Sequence, residues 1–386
     1  MTTSHWIRTS GQKPASRADI VIAGGGYAGL ATAFWLTEIN PSLKICIVDR
    51  ATLGEGASGR NAGFLTIGSA VFYKSLSEKW GLEKATDIHK FACHSVQLVQ
   101  DILLRSFPEI EAVPSTSLTL CRNEEQLQSW KKDFLPDCFG FHWREENFFR
   151  GGLQGKFKGG LESPPEFKIN PISLLQTLKK VLLSRNVTFI ENNSAFEICQ
   201  NGLKVETGIL ETDKVILAMN AYFPQFHSAF RHMITPRRAQ MLAVELADNL
   251  EAPHLYYDPL DKVYWRKAKD NVLLIGGKRL LDETGETGEF EKVSPVIQNG
   301  LEEYLRQQLG LKFRIINRWS GTMGFTEHEL PFIGKVQSPV ESYVIGGFSG
   351  HGMGFGFHAG KDMAEVVTGL KTNSFFDQFR KAEVRL

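Results

Sequence analysis

Apolar residues change their spacing several times along this chain, and each change marks an element. Residues 18–23 (ADIVIA) are a short apolar run of strand length, 27–38 carry the pattern of a helix, and 44–48 (KICIV) give a second strand. Strand, helix and strand within about thirty residues make a βαβ unit and imply a parallel sheet. Residues 83–105 predict an amphipathic helix with Ile88, Phe91, Ala92, Val96, Val99 and Leu103 on one side. The pattern breaks up over 114–168, then Asn170-Pro171 opens a helix that runs to about residue 184. Strands are expected at 187–190, 195–198 and 214–218, and the alternating stretch 236–280 holds more, including 263–266 and 272–275. A helix over 294–309 follows, and 342–370 repeat the order strand, glycine loop, helix. Residues 1–16 are polar and read as a tail docked through Trp6.

Composition narrows the class. The chain has 386 residues, which suggests two or three domains, and its 42% hydrophobic and 23% charged residues are ordinary for a globular protein. Lys plus Arg (44) balances Asp plus Glu (43), so no global field favours nucleic acid or an anionic membrane, and neither is expected as a partner. The uncharged stretch 20–36 resembles a membrane segment, but the triple glycine would break such a helix. Five cysteines without a CxxC give no disulfide framework or zinc site and suit a reducing compartment, so a cytoplasmic location is expected. The histidines show no metal spacing; His89 and His94 read as ordinary helix residues, and no metal is expected.

The chemistry starts at Gly24-Gly25-Gly26-Tyr27-Ala28-Gly29. Gly24, Gly26 and Gly29 fill the places of GxGxxG, which serve a tight turn, backbone approach to a pyrophosphate and close helix packing. The motif follows a strand and opens a helix, whose N-terminus favours phosphate. Asp49, at the end of the second strand, is placed to accept bonds from the adenosine ribose, and an acid there disfavours the 2′-phosphate of NADP. A second stretch rich in small residues follows at once, with Gly54, Gly56, Ser58, Gly59, Arg60, Asn61 and Gly63. An NAD enzyme usually continues there into another βαβ unit, so FAD is the better reading.

Four segments together carry a resemblance: ADIVIAGGGYAGL, IVDR, GASGRNAGF and GGFSGHGMGFG. In this order they resemble the FAD-dependent D-amino acid oxidase superfamily, which includes glycine, sarcosine and γ-glutamylputrescine oxidases. The last branch is also similar in ILAMNAY (216–222) and the N-terminal SHW. The resemblance implies an α/β fold in which a Rossmann-like FAD-binding domain (1–80, 165–235 and 321–386) is interleaved with an α+β substrate domain (81–164 and 236–320) on a mostly antiparallel sheet. It implies that Gly24, Gly26, Tyr27, Ala28 and Gly29 bind pyrophosphate, Asp49 the ribose and Arg50 the adenosine. Ser58, Gly59, Arg60 and Asn61 would hold phosphate and ribityl, and Ala62, Gly63, Phe64 and Leu65 would run beside the isoalloxazine. Ala195 would present backbone to the adenine. Gly350, His351, Gly352 and Met353 would contact the flavin pyrimidine oxygens, and the helix after them would favour an anionic ring.

Departures from the family pattern bear on substrate. Gly321 falls where sarcosine oxidase has a cysteine bonded to FAD, so the cofactor is expected to be non-covalent. Met353, Gly354 and Phe355 follow the GHG loop where a basic residue grips a carboxylate in that enzyme. This favours an amine substrate or a carboxylate held elsewhere, with Arg266 a candidate clamp. The lysine that assists oxygen reduction there aligns with Leu274, and Lys278 is the nearby candidate for a cation at the flavin. His351 is a candidate for proton transfer, and Phe64, Tyr264 and Trp265 for pocket walls. The expected reaction is hydride transfer from a small amine or amino acid to flavin N5, hydrolysis of the imine, and reoxidation by O2 or another acceptor. Two other readings are open at this level. One is an NADH-dependent reductase, which would want a second GxGxxG. The other is a non-catalytic flavin module, for instance an assembly or RNA-modification partner. Oligomeric state is not legible.

Overall fold

The computed structural model describes residues 17–133, 139–379 and 384–386, so the expected docking of Trp6 and the state of Cys138 fall outside the described residues. The runs IVIA and ICIV become strands Ile20–Ala23 and Ile45–Val48, with every residue buried. Strands covered on both faces belong in a parallel sheet. They lie at the centre of a six-stranded sheet, in the order Phe332–Val336, Glu341–Gly346, Lys214–Leu217, Ile20–Ala23, Ile45–Val48, Thr188–Ile190. All neighbours are parallel except the first pair. The helix Tyr27–Ile39 crosses between the two central strands and is buried almost all round. One of its covers is the helix Gly352–Val367, where a Cβ on Gly360 would come within 2.7 Å of Ala31 and Trp35 Nε1 donates to the Phe357 carbonyl (3.0 Å). Only a glycine lets the two backbones approach so closely.

The second layer is an eight-stranded sheet in the order Phe313–Phe325, Thr235–Leu246, Val272–Gly277, Val263–Lys267, Leu255–Asp258, Ser117–Cys121, Gly159–Glu162, His142–Glu145. It is antiparallel except for the register Leu255–Ser117 to Tyr257–Thr119. The expected fold class is therefore the observed one: a Rossmann-like parallel sheet beside a mostly antiparallel one. Between them lies a small sheet of Phe64–Leu65, Glu166–Ile169 and Ala112–Ser115. A three-stranded meander, Ala195–Cys199 to Glu211, completes the strands.

Local chemistry accounts for most boundaries. Asn170 caps Pro171–Ser184 by accepting from the Ile172 and Ser173 N–H groups (3.0 and 3.4 Å). The single helix expected over 83–105 is an α-helix, Leu82–Leu98, followed by one π-helical turn, Val99–Leu104. The helix over 294–309 ends in a similar turn at Tyr304–Gln308. Helix Ala70–Trp80 has no counterpart in the sequence pattern; Ser69 caps it through the Phe72 N–H. Leu82–Leu98, expected with the substrate domain, packs on the C-terminal helix instead, with Phe91 stacked on His358 (3.8 Å between ring centres) and Ser95 Oγ accepting the His358 N–H. Among the described residues no helix is long and apolar enough to cross a membrane, and no cluster of His, Cys, Asp or Glu could hold a metal.

Candidate functional site

Three segments meet at the carboxyl ends of the strands of the parallel sheet. The first is the turn after Ile20–Ala23. Gly24 has φ +119°, a Cβ there would lie 2.5 Å from the Ala218 carbonyl oxygen, and a Cβ on Gly29 would lie 2.0 Å from the Gly24 oxygen. The loop thus has no room for side chains at its first and third motif positions. Asp49 braces it by accepting the Gly25 N–H at Oδ2 (2.6 Å) and the Ala51 N–H at Oδ1 (2.9 Å). Burial raises the Asp49 pKa, and those two amides oppose the rise.

The second segment is the stretch from Gly54 to Leu65. Ser58 Oγ accepts the Tyr27 N–H (2.9 Å), which joins the two glycine loops, and a Cβ on Gly59 would strike the Gly54 carbonyl oxygen. Asn61 closes its own turn, donating to Ser58 O (2.7 Å) and accepting the Gly63 N–H (2.8 Å). Arg60 lies against Gly321, and its carbonyl accepts the Trp319 indole N–H (2.8 Å). Ala62 is buried, and Phe64 meets Tyr264 edge-on at 5.9 Å.

The third segment is Gly350-His351-Gly352-Met353, at the start of Gly352–Val367. No N-cap side chain bonds this helix or the one at Tyr27, whose first N–H goes to Ser58 instead, and both N-termini keep a partial positive charge. A Cβ on Gly354 would touch the Thr66 carbonyl, and one on Gly356 the Tyr27 ring, which fixes all three segments side by side. His351 stacks on Phe72 (3.9 Å), and burial lowers its pKa to about 4, so the ring is neutral at pH 7. Its Nδ1 is sealed from solvent without a partner, an orphan that a bound group would satisfy. Ala195 begins the strand just beyond Asn193, whose N–H donates to the Asp49 carbonyl (2.9 Å). Arg50 stacks on Tyr222 at 3.5 Å.

Four expectations change. Leu65 is fully buried with Phe167 opposite it, because the strand turns alternate residues away from the cleft. Trp265 is also fully buried, stacked on Tyr256 (3.9 Å) on the far face of its strand. Tyr264 and Arg266, one residue to either side, share the face toward Phe64. Arg266 donates to the Ala62 carbonyl (2.6 Å) and the Ile169 carbonyl (3.1 Å), so its guanidinium ties the two layers together, and burial lowers its pKa to about 10. Lys278 adopts φ +58° and pairs with Asp261 (2.6 Å), 5.8 Å from the Tyr304 ring, on the face away from Phe64.

Residues that the sequence did not single out lie near the same site. Lys168 pairs in register with Phe64, so it lies on the Tyr264 side of the small sheet, and among the described residues no acid or hydrogen-bond acceptor contacts its ammonium. Burial, then Arg266 and Lys267, lower its pKa to about 8. Two positions away, the fully buried Glu166 accepts the Ile67 N–H (2.8 Å), and burial raises its pKa to about 8. Tyr257 is the register partner of Tyr264, and Arg279 follows Lys278. Two surface hollows, one beside Asp19, Asn40 and Lys214 and one beside Glu146 and Arg150, contain none of these residues.

A glycine cradle at a helix N-terminus, set against an antiparallel sheet across a cleft, defines a two-domain dinucleotide-dependent protein. The comparisons narrow that class. Residues 19–366 match the family model described as DAO, FAD dependent oxidoreductase, and the chain belongs to that family. It is 26% identical over 93% of its length to a probable oxidoreductase OrdL of Rhizobium meliloti (strain 1021), of which it covers 85%. It is 22% identical over 91% to the gamma-glutamylputrescine oxidoreductase of Escherichia coli (strain K12), of which it covers 84%. Its fold superposes on glycine oxidase from Geobacillus kaustophilus with a TM-score of 0.78, at 18% identity, over 95% of this chain and 99% of that one. The chain is thus an FAD-dependent oxidoreductase of a family acting on amines and amino acids. The glycine cradle, the two uncapped helix ends and the orphaned His351 Nδ1 fit that cofactor.

Proposed function

We propose that this protein oxidises the C–N bond of a small amine or amino acid in the cleft beside Phe64 and Tyr264. The observation that supports it most is the meeting of the glycine loop, the 54–65 stretch and the uncapped helix at Gly352 directly beside that cleft. FAD, when bound, supplies the redox chemistry, taking a hydride from the carbon beside the amine nitrogen and passing electrons to O2 or another acceptor. Gly24, Gly26, Tyr27, Ala28 and Gly29 would hold its pyrophosphate, Asp49 its ribose, and Arg50 with Ala195 its adenosine. Ser58, Gly59, Arg60 and Asn61 would hold the phosphate and ribityl chain, with Ala62, Gly63 and Phe64 beside the ring. Gly350, His351, Gly352 and Met353 would meet its polar edge. Phe64, Tyr264 and Tyr257 would orient the substrate with its amine neutral and keep water out. The imine product would hydrolyse to a carbonyl compound and an amine or ammonia. The proposed cofactor domain is 1–80, 165–235 and 321–386, with the substrate domain over 81–164 and 236–320; the parallel-sheet strands support the first, whereas Leu82–Leu98 packs on its helix and Phe313–Phe325 crosses its last boundary.

The test is the visible spectrum of the purified holoprotein before and after anaerobic addition of sarcosine, glycine, D-amino acids, polyamines and γ-glutamylated polyamines. Bleaching by one class supports the reading, and a protein that no amine bleaches overturns it. Two further results are expected. Acid precipitation should release the flavin into the supernatant, because Gly321 offers no thiol and its Cβ position is filled by Arg60; a yellow pellet would show a covalent bond.

The second concerns Lys168. Its ammonium, without an ion-pair partner among the described residues, lies on the Phe64 side of the small sheet and suits stabilising the anion formed as oxygen is reduced. Lys168→Met should slow recolouring in air by about 10-fold or more while leaving anaerobic bleaching unchanged. Because this lysine is charged below its pKa of about 8, the recolouring advantage of the native protein should fade as pH rises through that value. Stopped-flow mixing with oxygenated buffer across pH 6 to 10 measures both, and equal rates in the two proteins would remove Lys168 from the step.

A further inference from the structure

The segment from Ala62 to Ile67 is fastened at both ends by side chains. Its strand, Phe64–Leu65, has a ladder partner on one side alone, Glu166–Ile169. At one end Arg266 donates to the Ala62 carbonyl (2.6 Å). At the other, Ile67 is held through both of its backbone groups. Glu166 Oε1 accepts its N–H (2.8 Å), and the Tyr73 hydroxyl donates to its carbonyl. Between the two ends, the Thr66 carbonyl lies against Gly354 in the first turn of Gly352–Val367. A shift of Ile67 would therefore be felt at the third segment of the cofactor site.

Glu166 is the unusual member of this set. It is fully buried, and among the described residues no cation contacts it. Its titratable neighbours on the two adjoining helices are Tyr73 on Ala70–Trp80 and Cys93 on Leu82–Leu98, and burial keeps both protonated. His89, packed on Tyr73, is neutral because burial lowers its pKa to about 4. Ser115 stands opposite Glu166 in the small sheet, and Ser117 and Ser163 approach from the eight-stranded one. Lys168, two residues along the same strand, is acted on by Arg266 and Lys267 and not by this carboxyl. A carboxylate sealed from water without a counter-charge is too costly to keep, so the group is held as the neutral acid. The hydrogen bonds agree. Ser163 donates to the Pro164 carbonyl (2.8 Å) and Tyr73 to Ile67, so neither has a proton left for a carboxylate. Oε2 is sealed without a partner among the described residues, and a proton there can be donated to a serine oxygen.

We propose that Glu166 is a positioning residue that works as the neutral acid: it latches Ile67 between the two sheets, and its ionisation in alkaline solution frees the 62–67 segment and loosens bound FAD while the rest of the fold persists. The latch does not depend on which substrate is oxidised. The unfolded chain ionises this residue at the ordinary glutamate value and the folded chain near 8. Its contribution to stability is therefore whole in acid and is lost as pH rises through that interval.

The test compares the FAD-loaded native protein with Glu166→Gln and Glu166→Ala. Glutamine keeps the acceptor for Ile67 and an N–H in place of the acid O–H, but cannot ionise. The infrared difference between the native protein and Glu166→Gln at pH 6 should contain the carbonyl stretch of a buried protonated carboxyl. One pH unit above the pKa the neutral form is about 10-fold depleted, so FAD affinity of the native protein should fall about 10-fold between pH 6 and 9. Glu166→Gln should hold its affinity over that range, and Glu166→Ala should bind FAD weakly throughout. The thermal midpoint of Glu166→Gln should gain on that of the native protein from pH 5 to 8 and then level off. Lys168→Met should retain the native pH dependence of FAD affinity, which separates this titration from that of the lysine. A constant native affinity from pH 6 to 9 overturns the proposal without recourse to any variant. So does the absence of the carboxyl stretch, a Glu166→Gln protein that loses FAD with pH as the native one does or binds it as poorly as Glu166→Ala, or a Lys168→Met protein in which the pH dependence is gone.

Discussion

Gly29→Ala is expected to yield a folded protein that purifies without its yellow colour. The added methyl would lie 2.0 Å from the Gly24 carbonyl oxygen, and no flexible side chain is there to yield. Relief must come from the backbone of the loop itself, and Gly24 is already pinned with φ +119° against the Ala218 carbonyl. The helix Tyr27–Ile39 would have to move outward, yet it is packed against Gly352–Val367 through Gly360 and the Trp35–Phe357 hydrogen bond. Strain of this kind typically costs about 1–3 kcal/mol or more. The clash falls in the loop that would cradle the pyrophosphate, so FAD affinity should fall by about 10- to 100-fold or beyond. The ratio of absorbance at 450 nm to 280 nm and a titration of apoprotein with FAD measure this. Unchanged affinity, with circular dichroism showing an intact fold, would remove the loop from cofactor binding.

Arg266→Met should lower stability before it alters substrate affinity. The guanidinium reaches from the eight-stranded sheet to two carbonyls, Ala62 O and Ile169 O. Methionine fills similar space but leaves both acceptors without a donor. Losing a charged donor and leaving buried acceptors unpaired costs about 2–4 kcal/mol. A drop of several degrees in the thermal midpoint is therefore expected, with weaker FAD retention because Ala62 and Gly63 lose their anchor. Arg266→Lys should recover little, since one ammonium cannot reproduce the forked geometry. A variant of native stability with KM alone raised would instead make Arg266 a substrate clamp.

The two residues also show which parts of this site could be read from the sequence. The cofactor loop was legible because its requirements are local: a strand, three glycines at fixed spacing, a helix and an acid lie within one βαβ unit. The parallel sheet was legible for the same reason, since short runs such as IVIA and ICIV have no polar face. The substrate side was not, because its residues are brought together by strand parity and by one unusual dihedral angle. Trp265 looks like a pocket wall in sequence, but a strand sends neighbours to opposite faces, and Tyr264 takes the cleft. Alternation across 263–267 held that information in the sequence pattern. No pattern marks the positive φ of Lys278, which places that lysine and Arg279 on opposite sides. Lys168 was hidden more simply: an isolated lysine on a short strand looks solvated until its neighbours are known. Helix Ala70–Trp80 escaped notice because its few apolar positions follow a glycine-rich stretch without a break in composition.

The packing of the first long helix on the last sets an order of events during synthesis. The hydrogen bond from Trp35 to Phe357 spans 322 residues, and the face of Tyr27–Ile39 that packs on Gly352–Val367 has no cover until that helix has left the ribosome. At about 5–20 residues per second that interval is roughly 15 to 60 s. Throughout it the nascent chain carries an almost wholly apolar helix with one face that no earlier part of the chain shelters. Chaperone capture early in translation is therefore the expected fate of each molecule, and a chain stopped short of residue 352 should aggregate rather than persist as a smaller flavoprotein.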